Sequence, residues 1–446
     1  MKQDIEQVSL PYLSRPAAVS VTDSGHTICI IPKPGEVVHL HTAVRTGSIH
    51  EDDATTGISH FLEHLMFKGT ASHPAGEFDR ILEGMGARIN AATSKDWTQY
   101  FVTIPAGENG RFYRQALELH ADMMLHPLLP EEEIGPPFDP ANPQVEQKRE
   151  RHVVIEEIKM GKDNPVRRCF ETLNALMYRQ HPYHREVIGT AEVIAAVTRE
   201  TLLGYYRRWY TADNMVTVVA GDLDPASTIA GIREQFRFGA ERTGPLPAFS
   251  PEPEQAETRA KHLTADVQTG YVWAGFRGPA GWALREVIAL DVAMLALGEG
   301  RSSRLHQRLV EQLPDTPFFD VGSAQWEYRD ETTLMAHGVC RPDVVAESAG
   351  LLRAQVAGLV PEPVAGAELE KALTRLEARF ASDAERAADL CFRVADSMVR
   401  RGDLSLYTEY LPTLRALTPA DVAAAVQRYL GEERLCLVTM APGENE

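Results

Sequence analysis

Residues 37–44 (VVHLHTAV) alternate apolar and polar positions with the period of two that a half-buried strand requires, and residues 100–104 (YFVTI) read as a second strand. Between them, residues 57–68 and 77–84 carry apolar side chains at helical spacing. Residues 214–222 (NMVTVVAGD) form a short apolar run closed by a turn, the pattern of a buried strand. Residues 369–401, rich in Ala, Leu and Arg, predict one long amphipathic helix whose apolar stripe serves core packing. Strands and helices interleaved in this way predict layered α/β or α+β architecture rather than a helical bundle.

Proline changes the picture in two places. Residues 244–258 (GPLPAFSPEPEQAET) disfavour both helix and sheet. The chain is therefore read as an N-terminal domain, 1–243, a Pro/Glu-rich linker, 244–259, and a C-terminal domain, 260–446. A shift of 220 positions places residues 418–422 on 198–202, Tyr429 on Trp209 and residues 435–439 on 215–219. Each half thus closes with a helix, an aromatic residue and an apolar strand, so two related domains are expected. The second proline-rich stretch, residues 135–143, interrupts a helical, acidic region and reads as an inserted surface loop.

Composition narrows the partners. The chain has 446 residues, 44% hydrophobic and 24% charged, which are globular proportions. Against 63 acidic residues stand 45 basic ones, and a net charge of −18 repels phosphate backbones. No nucleic-acid partner is expected, and basic ligands are favoured. The five cysteines are scattered and form no CxxC pair, which fits a reducing compartment better than a disulfide framework. The N-terminal residues lack the apolar core of a signal peptide, and the longest apolar run, residues 287–297, contains Asp291. The reading is a soluble, cytoplasmic protein without a membrane partner.

The chemistry concentrates in residues 57–67, GISHFLEHLMF. On a helix, His60 and His64 project from one face a turn apart, and Glu63 shares that face. Two neutral imidazoles and one anionic ligand can hold Zn2+ with a position open for water. Zinc lowers the pKa of such a water from about 15.7 toward ~7, so a carboxylate such as Glu63 suffices as base. The apolar neighbours predict a buried helix, and burying Glu63 with two histidines calls for a compensating cation. The candidate for a third ligand is the segment ERHVVIEEIKM, residues 150–160, in which Glu150 and Glu157 share a face two turns apart. Glu156 points away as a solvated charge, and His152 sits off that face.

These segments, HFLEHLMFKGT and ERHVVIEEIKMGKDNP, resemble the M16 family of inverzincin metallopeptidases, in particular the M16B branch of processing-peptidase-like proteins. Gly86–Thr93 with Asp96, Thr98 and Tyr100, His181-Pro-Tyr, Ile188-Gly-Thr, Asn214-Met and Gly300-Arg-Ser-Ser-Arg-Leu305 extend the likeness over most of the chain. The resemblance implies His60, His64 and Glu157 as zinc ligands, Glu63 as general base and Glu150 as supporting catalytic carboxylate. It also implies an α+β fold of two similar domains, each a mostly antiparallel sheet packed with helices. Peptide substrate would add as a strand along Asn90, Ala91, Ala92 and Thr93.

Two departures from the family pattern stand out. His64 and Glu157 are 93 positions apart, longer than usual, and the excess matches the proline-rich stretch near 135–143 with its flanks. Where M16B chains carry an Arg and a Tyr that grip substrate, Val310 and Phe318 or Phe319 stand here, and none of them can donate a hydrogen bond to an oxyanion. The expectation is a zinc-dependent endopeptidase for unfolded peptides, the zinc-bearing half of a heterodimer whose M16-like partner supplies the Arg/Tyr pair. The competing expectation is a non-catalytic peptide-binding or scaffold subunit that keeps the zinc site; a homodimer is the third.

Overall fold

The computed structural model of the protein describes residues 5–141 and 149–443. Its strands are β1 (Glu6–Val8), β2 (Ala17–Val21), β3 (Thr27–Pro32), β4 (Val37–Val44), β5 (Arg88–Thr93), β6 (Thr98–Pro105), β7 (Met215–Gly221), β8 (Arg259–Ala265), β9 (Gly270–Arg277), β10 (Phe318–Glu327), β11 (Thr332–Cys340) and β12 (Cys436–Pro442). They form a seven-stranded sheet of order β1-β2-β3-β7-β4-β6-β5 and a five-stranded sheet of order β10-β11-β9-β12-β8. Every pairing is antiparallel except β3 with β7 and β8 with β12. The fold is α+β with two helix-packed, mostly antiparallel sheets.

In the first sheet β4 and β7 are central and buried almost throughout, so their apolar residues serve both faces. Ile28, Leu40, Val102 and Val219 join Phe61, Leu62 and Leu65 of the helix Ile58–Met66 in one core. That helix is apolar on every side but one, which leaves a single polar stripe for chemistry. Edge strand β5 pairs only with β6 among the described strands and lies against the same helix.

The compact units are not contiguous in sequence. The first comprises residues 1–158, 185–248 and 381–408; the second comprises 159–184, 249–380 and 409–446. The helix Pro165–Met177 packs on β9 and β12 of the second sheet, and the helix Ala387–Arg400 packs on β4 and β7 of the first. A cut at residues 244–259 separates the two sheets but not these two helices. Residues 244–258 contain neither helix nor strand, and Glu252 anchors them to the second unit: its carboxylate accepts the N–H groups of Arg179, Gln180 and His181 at 2.9, 2.7 and 2.8 Å.

The single helix expected over residues 369–401 is instead two, Gly366–Glu385 and Ala387–Arg400, broken at Arg386, whose backbone is extended (φ −104°, ψ 128°). Neither Gly nor Pro marks the break; the second helix is held by what it packs against in the first unit. Residues 135–141 are free of helix and strand, as an inserted loop would be, and the remainder of the proline-rich stretch lies outside the described residues.

Candidate metal centre

The centre is built from the helix Ile58–Met66 and the part of the helix Glu150–Asp163 up to Ile158, which belongs to the first unit. The first starts at Gly57, held left-handed at φ 90°. Only glycine fits there, since a Cβ would stand 2.5 Å from the carbonyl oxygen of Ile188. Three residues later His60 begins the polar stripe, and the four-residue spacing sets its ring beside that of His64, centroids 4.7 Å apart.

The second helix brings Glu157 to meet them. Its Oε2 lies 3.9 Å from Nε2 of His60 and 3.7 Å from Nε2 of His64. One donor atom from each of the three residues falls within 4.8 Å of the others. In a tetrahedral zinc site with bonds of about 2.0–2.1 Å, neighbouring donors stand about 3.4 Å apart, so two imidazole nitrogens and a carboxylate oxygen at these separations fit a zinc ion in both spacing and chemistry. Among the described residues no other group of His, Cys, Asp and Glu side chains converges in this way.

Around the three donors the hydrogen bonds are directional. The Nδ1–H of His64 donates to Oε1 of Glu150 at 2.8 Å, which turns Nε2 toward Glu157. Lys68 Nζ sits 2.5 Å from the other Glu150 oxygen. Burial works against the Glu150 carboxylate, but the bonds from His64 and Lys68 overcome it and hold the carboxyl below its usual range. Glu63 is buried, and Thr93 donates its hydroxyl to Oε2 of Glu63 at 2.6 Å. Burial is the main force on its carboxyl and raises it, opposed by the Thr93 bond and His64 and aided by Glu157. Burial pulls the His64 imidazole down, but the Glu150 bond and the charges of Glu63 and Glu157 leave it above its usual value.

The structure thus brings His60, Glu63, His64, Glu150 and Glu157 together. Asn90, Ala91, Ala92 and Thr93 lie on β5, whose outer edge has no partner among the described strands. Thr93, read from sequence as a substrate contact, points its hydroxyl at Glu63. Glu156 is exposed, and His152 stacks on Phe138 with centroids 4.9 Å apart. Val310 falls in the helical turn His306–Glu311; Phe318 is buried and Phe319 is 63% exposed. Lys68 was not anticipated, although it follows His64 by four residues. Its partner Glu150 is distant in sequence, which hid the contact.

A histidine pair on one helix facing a glutamate on another, beside the open edge of an antiparallel sheet, is the frame of a metallopeptidase centre. The chain belongs to the M16 family: the model described as Insulinase (Peptidase family M16) matches residues 28–191, and that described as Peptidase M16 inactive domain matches residues 196–376. It is 28% identical over 417 residues to the zinc protease PqqE of Helicobacter pylori, covering 91% of this chain and 88% of that protein. It is also 28% identical over 404 residues to the uncharacterized zinc protease YmxG of Bacillus subtilis, covering 90% and 92%. Among solved structures, a protease from Helicobacter pylori superposes with a TM-score of 0.87 at 26% identity, covering 96% of this chain and 99% of that one. The Escherichia coli periplasmic protease PqqL superposes at a TM-score of 0.76 and 22% identity, a likeness of fold, with this chain matching 48% of its length. No helix among the described residues is long and apolar enough to cross a membrane.

Proposed function

We propose that the chain is a zinc-dependent endopeptidase for unstructured peptides. The observation that carries this reading is the convergence of His60, His64 and Glu157 within 4.8 Å, with Glu63 on the same helix face beside them. Here His60, His64 and Glu157 hold the metal. Zinc, when bound, supplies a Lewis acid that polarises a carbonyl and acidifies water. Glu63 accepts the proton of the attacking water and returns it to the leaving amine. Thr93 fixes the carboxylate that does so, and Glu150 with Lys68 fixes His64. A peptide pairing with the free edge of β5 is aligned by backbone hydrogen bonds, which demand an extended chain but little sequence. Asn90 to Thr93 then run beside the scissile bond.

The subunit arrangement we infer is a heterodimer enclosing a chamber, with the second M16-like chain supplying the Arg/Tyr pair. Val310, Phe318 and Phe319 favour it because none can donate to a developing oxyanion. A solved relative in which this chain's fold occupies 48% of a longer polypeptide is consistent with paired halves. The same three residues favour the alternative, a peptide-binding subunit that keeps its zinc.

Hydrolysis of a quenched, unstructured peptide tests these readings, with Glu63→Gln as control, zinc chelated in parallel and a co-purifying M16-like partner added. Activity that needs Glu63, zinc and partner supports the split site. Activity of the chain alone removes the need for a partner. Silence in every mixture, with zinc bound, selects the binding subunit.

A further inference from the structure

Glu51 is 6% exposed and Arg151 is fully buried, yet neither forms an ion pair among the described residues. Each instead bonds backbone groups, and each acts on one of the two helices that supply the donors. Their placement follows from what those helices lack.

The helix Ile58–Met66 begins at Gly57, which has no side chain to cap it and cannot gain one against Ile188. Its first N–H groups need acceptors from elsewhere, because a helix start leaves them unpaired. Glu51 provides both: Oε2 accepts the N–H of Gly57 at 2.8 Å, and Oε1 accepts the N–H of Ser59 at 2.9 Å and its hydroxyl at 2.5 Å. A carboxylate at this end also matches the helix dipole. His60 follows directly, so the bond to Ser59 fixes the turn that presents the first imidazole.

The helix Glu150–Asp163 is pinned differently. Nη1 of Arg151 donates to the carbonyls of Ala195 at 2.8 Å and Pro136 at 3.2 Å, and Nη2 donates to that of Val197. Ala195 and Val197 end the helix Ala191–Ala196, whose last carbonyls attract a cation. Arg151 adjoins Glu150 and lies six residues before Glu157, so this fork fixes the depth and rotation at which both carboxylates meet the histidines.

We propose that Glu51 and Arg151 are the positioning residues of the metal centre, each locking one donor-bearing helix through backbone groups so that the three donors are preorganised for zinc. The proposal rests on the zinc reading above. Neither residue touches a donor, so both act through main chain, and their removal weakens zinc binding by widening the range of donor positions.

The test is zinc affinity of the full chain, measured by competition with a chromophoric chelator well below the melting temperature, alongside the melting temperature of the metal-free chain. Glu51→Ala and Arg151→Met are each expected to weaken zinc by about 10–100-fold. Glu51→Gln and Arg151→Lys, which keep part of each contact, should lose less. Asp224→Ala is the control: it removes the cap of the helix Pro225–Gln235, which bears no donor, and should lower melting while leaving zinc affinity unchanged. Variants of Glu51 and Arg151 that melt lower but bind zinc as tightly as wild type overturn the proposal. So does failure of all four to fold, which would assign both residues to folding alone. A wild-type chain that takes no zinc, or a Glu157→Gln chain that binds it undiminished, overturns the zinc reading instead.

Discussion

The two sheets contain the same five-strand frame. In the first unit it runs β3-β7-β4-β6-β5; in the second, β8-β12-β9-β11-β10, with the single parallel pair at the same place. After β4 the chain enters Ile58–Met66, and after β9 it enters Leu284–Gly298. The first helix carries His60, Glu63 and His64; the second is buried and apolar, with Asp291 its one charge between residues 287 and 297. One frame thus carries the candidate metal centre in the first unit and an apolar helix at the matching place in the second, and the difference lies in side chains placed at one position of the topology. The contrast extends to buried titratable groups. The first unit buries His39 and His41 on its sheet, His120 on a neighbouring helix and His26 in the turn before β3, whereas His181, buried in the second, has Asp330 at 3.4 Å.

Acid should separate the units most sharply. Burial pulls His26 and His120 down to about 3 and His39 to about 4, and His41 falls in the same direction. Their folded values lie below the unfolded value near 6.5, so the unfolded chain binds the extra protons. The stability they confer is complete above pH 6.5 and is lost as pH falls toward 4. The three with stated values together withdraw about 6 kcal/mol by pH 5, comparable with the whole net stability of a domain. Glu51 acts in the opposite sense: burial pushes its carboxyl up to about 7, so protonation favours the fold by about 3 kcal/mol over the same range. The second unit has His337, which burial also lowers, so the net expectation is that the first unit, with four such histidines partly offset by Glu51, opens at a higher pH than the second as acid is added. Hydrogen exchange read peptide by peptide checks this; equal protection at pH 5, or earlier opening of the second unit, would break the contrast.

Glu63→Gln should make the first unit chemically resemble the second without disturbing the frame. The expected loss is about 1,000-fold in kcat, or ~4 kcal/mol, with zinc content unchanged by elemental analysis. Retained activity would place the base elsewhere.

The sequence shows this site unevenly. His60, Glu63 and His64 are legible because helical periodicity puts residues four apart on one face, and Glu150 with Glu157 because seven positions make two turns. Strand β4 and the helix Glu77–Gly84 appear with the limits their patterns predict, for the same reason. Glu51 and Arg151 are not legible, since apart from the Ser59 hydroxyl they bond main-chain atoms, which leave no complementary charged residue to find. The exchange of Pro165–Met177 and Ala387–Arg400 between units is hidden too: an apolar stripe declares that a helix will be covered, not by which sheet. The break at Arg386 follows from that packing and has no local signal.

Glu150→Gln sharpens the comparison within the site. An amide keeps one acceptor for the Nδ1–H of His64 but loses the charge that Lys68 neutralises, and such partners of zinc-bound histidine contribute about 10–100-fold in affinity. The expected loss lies at the lower end, about ten-fold, in chelator competition. Lys68→Met should shift affinity in the same direction, and an unchanged value in both would leave Glu150 a structural residue.

The smallest effect is expected at Thr93, and it discriminates between two roles for β5. As a main-chain docking edge, the strand needs no particular side chain at this position. As a support for the base, it needs the hydroxyl that reaches Glu63 at 2.6 Å. Thr93→Val keeps shape and β preference while removing the donor, so pairing with a peptide survives. Losing one such bond corresponds to ~1 kcal/mol, about five-fold. It should appear in kcat with KM unchanged, because the bond holds the carboxylate that moves the proton and not the peptide. A rise in KM at constant kcat would return Thr93 to substrate binding and leave Glu63 held by burial and its neighbours alone.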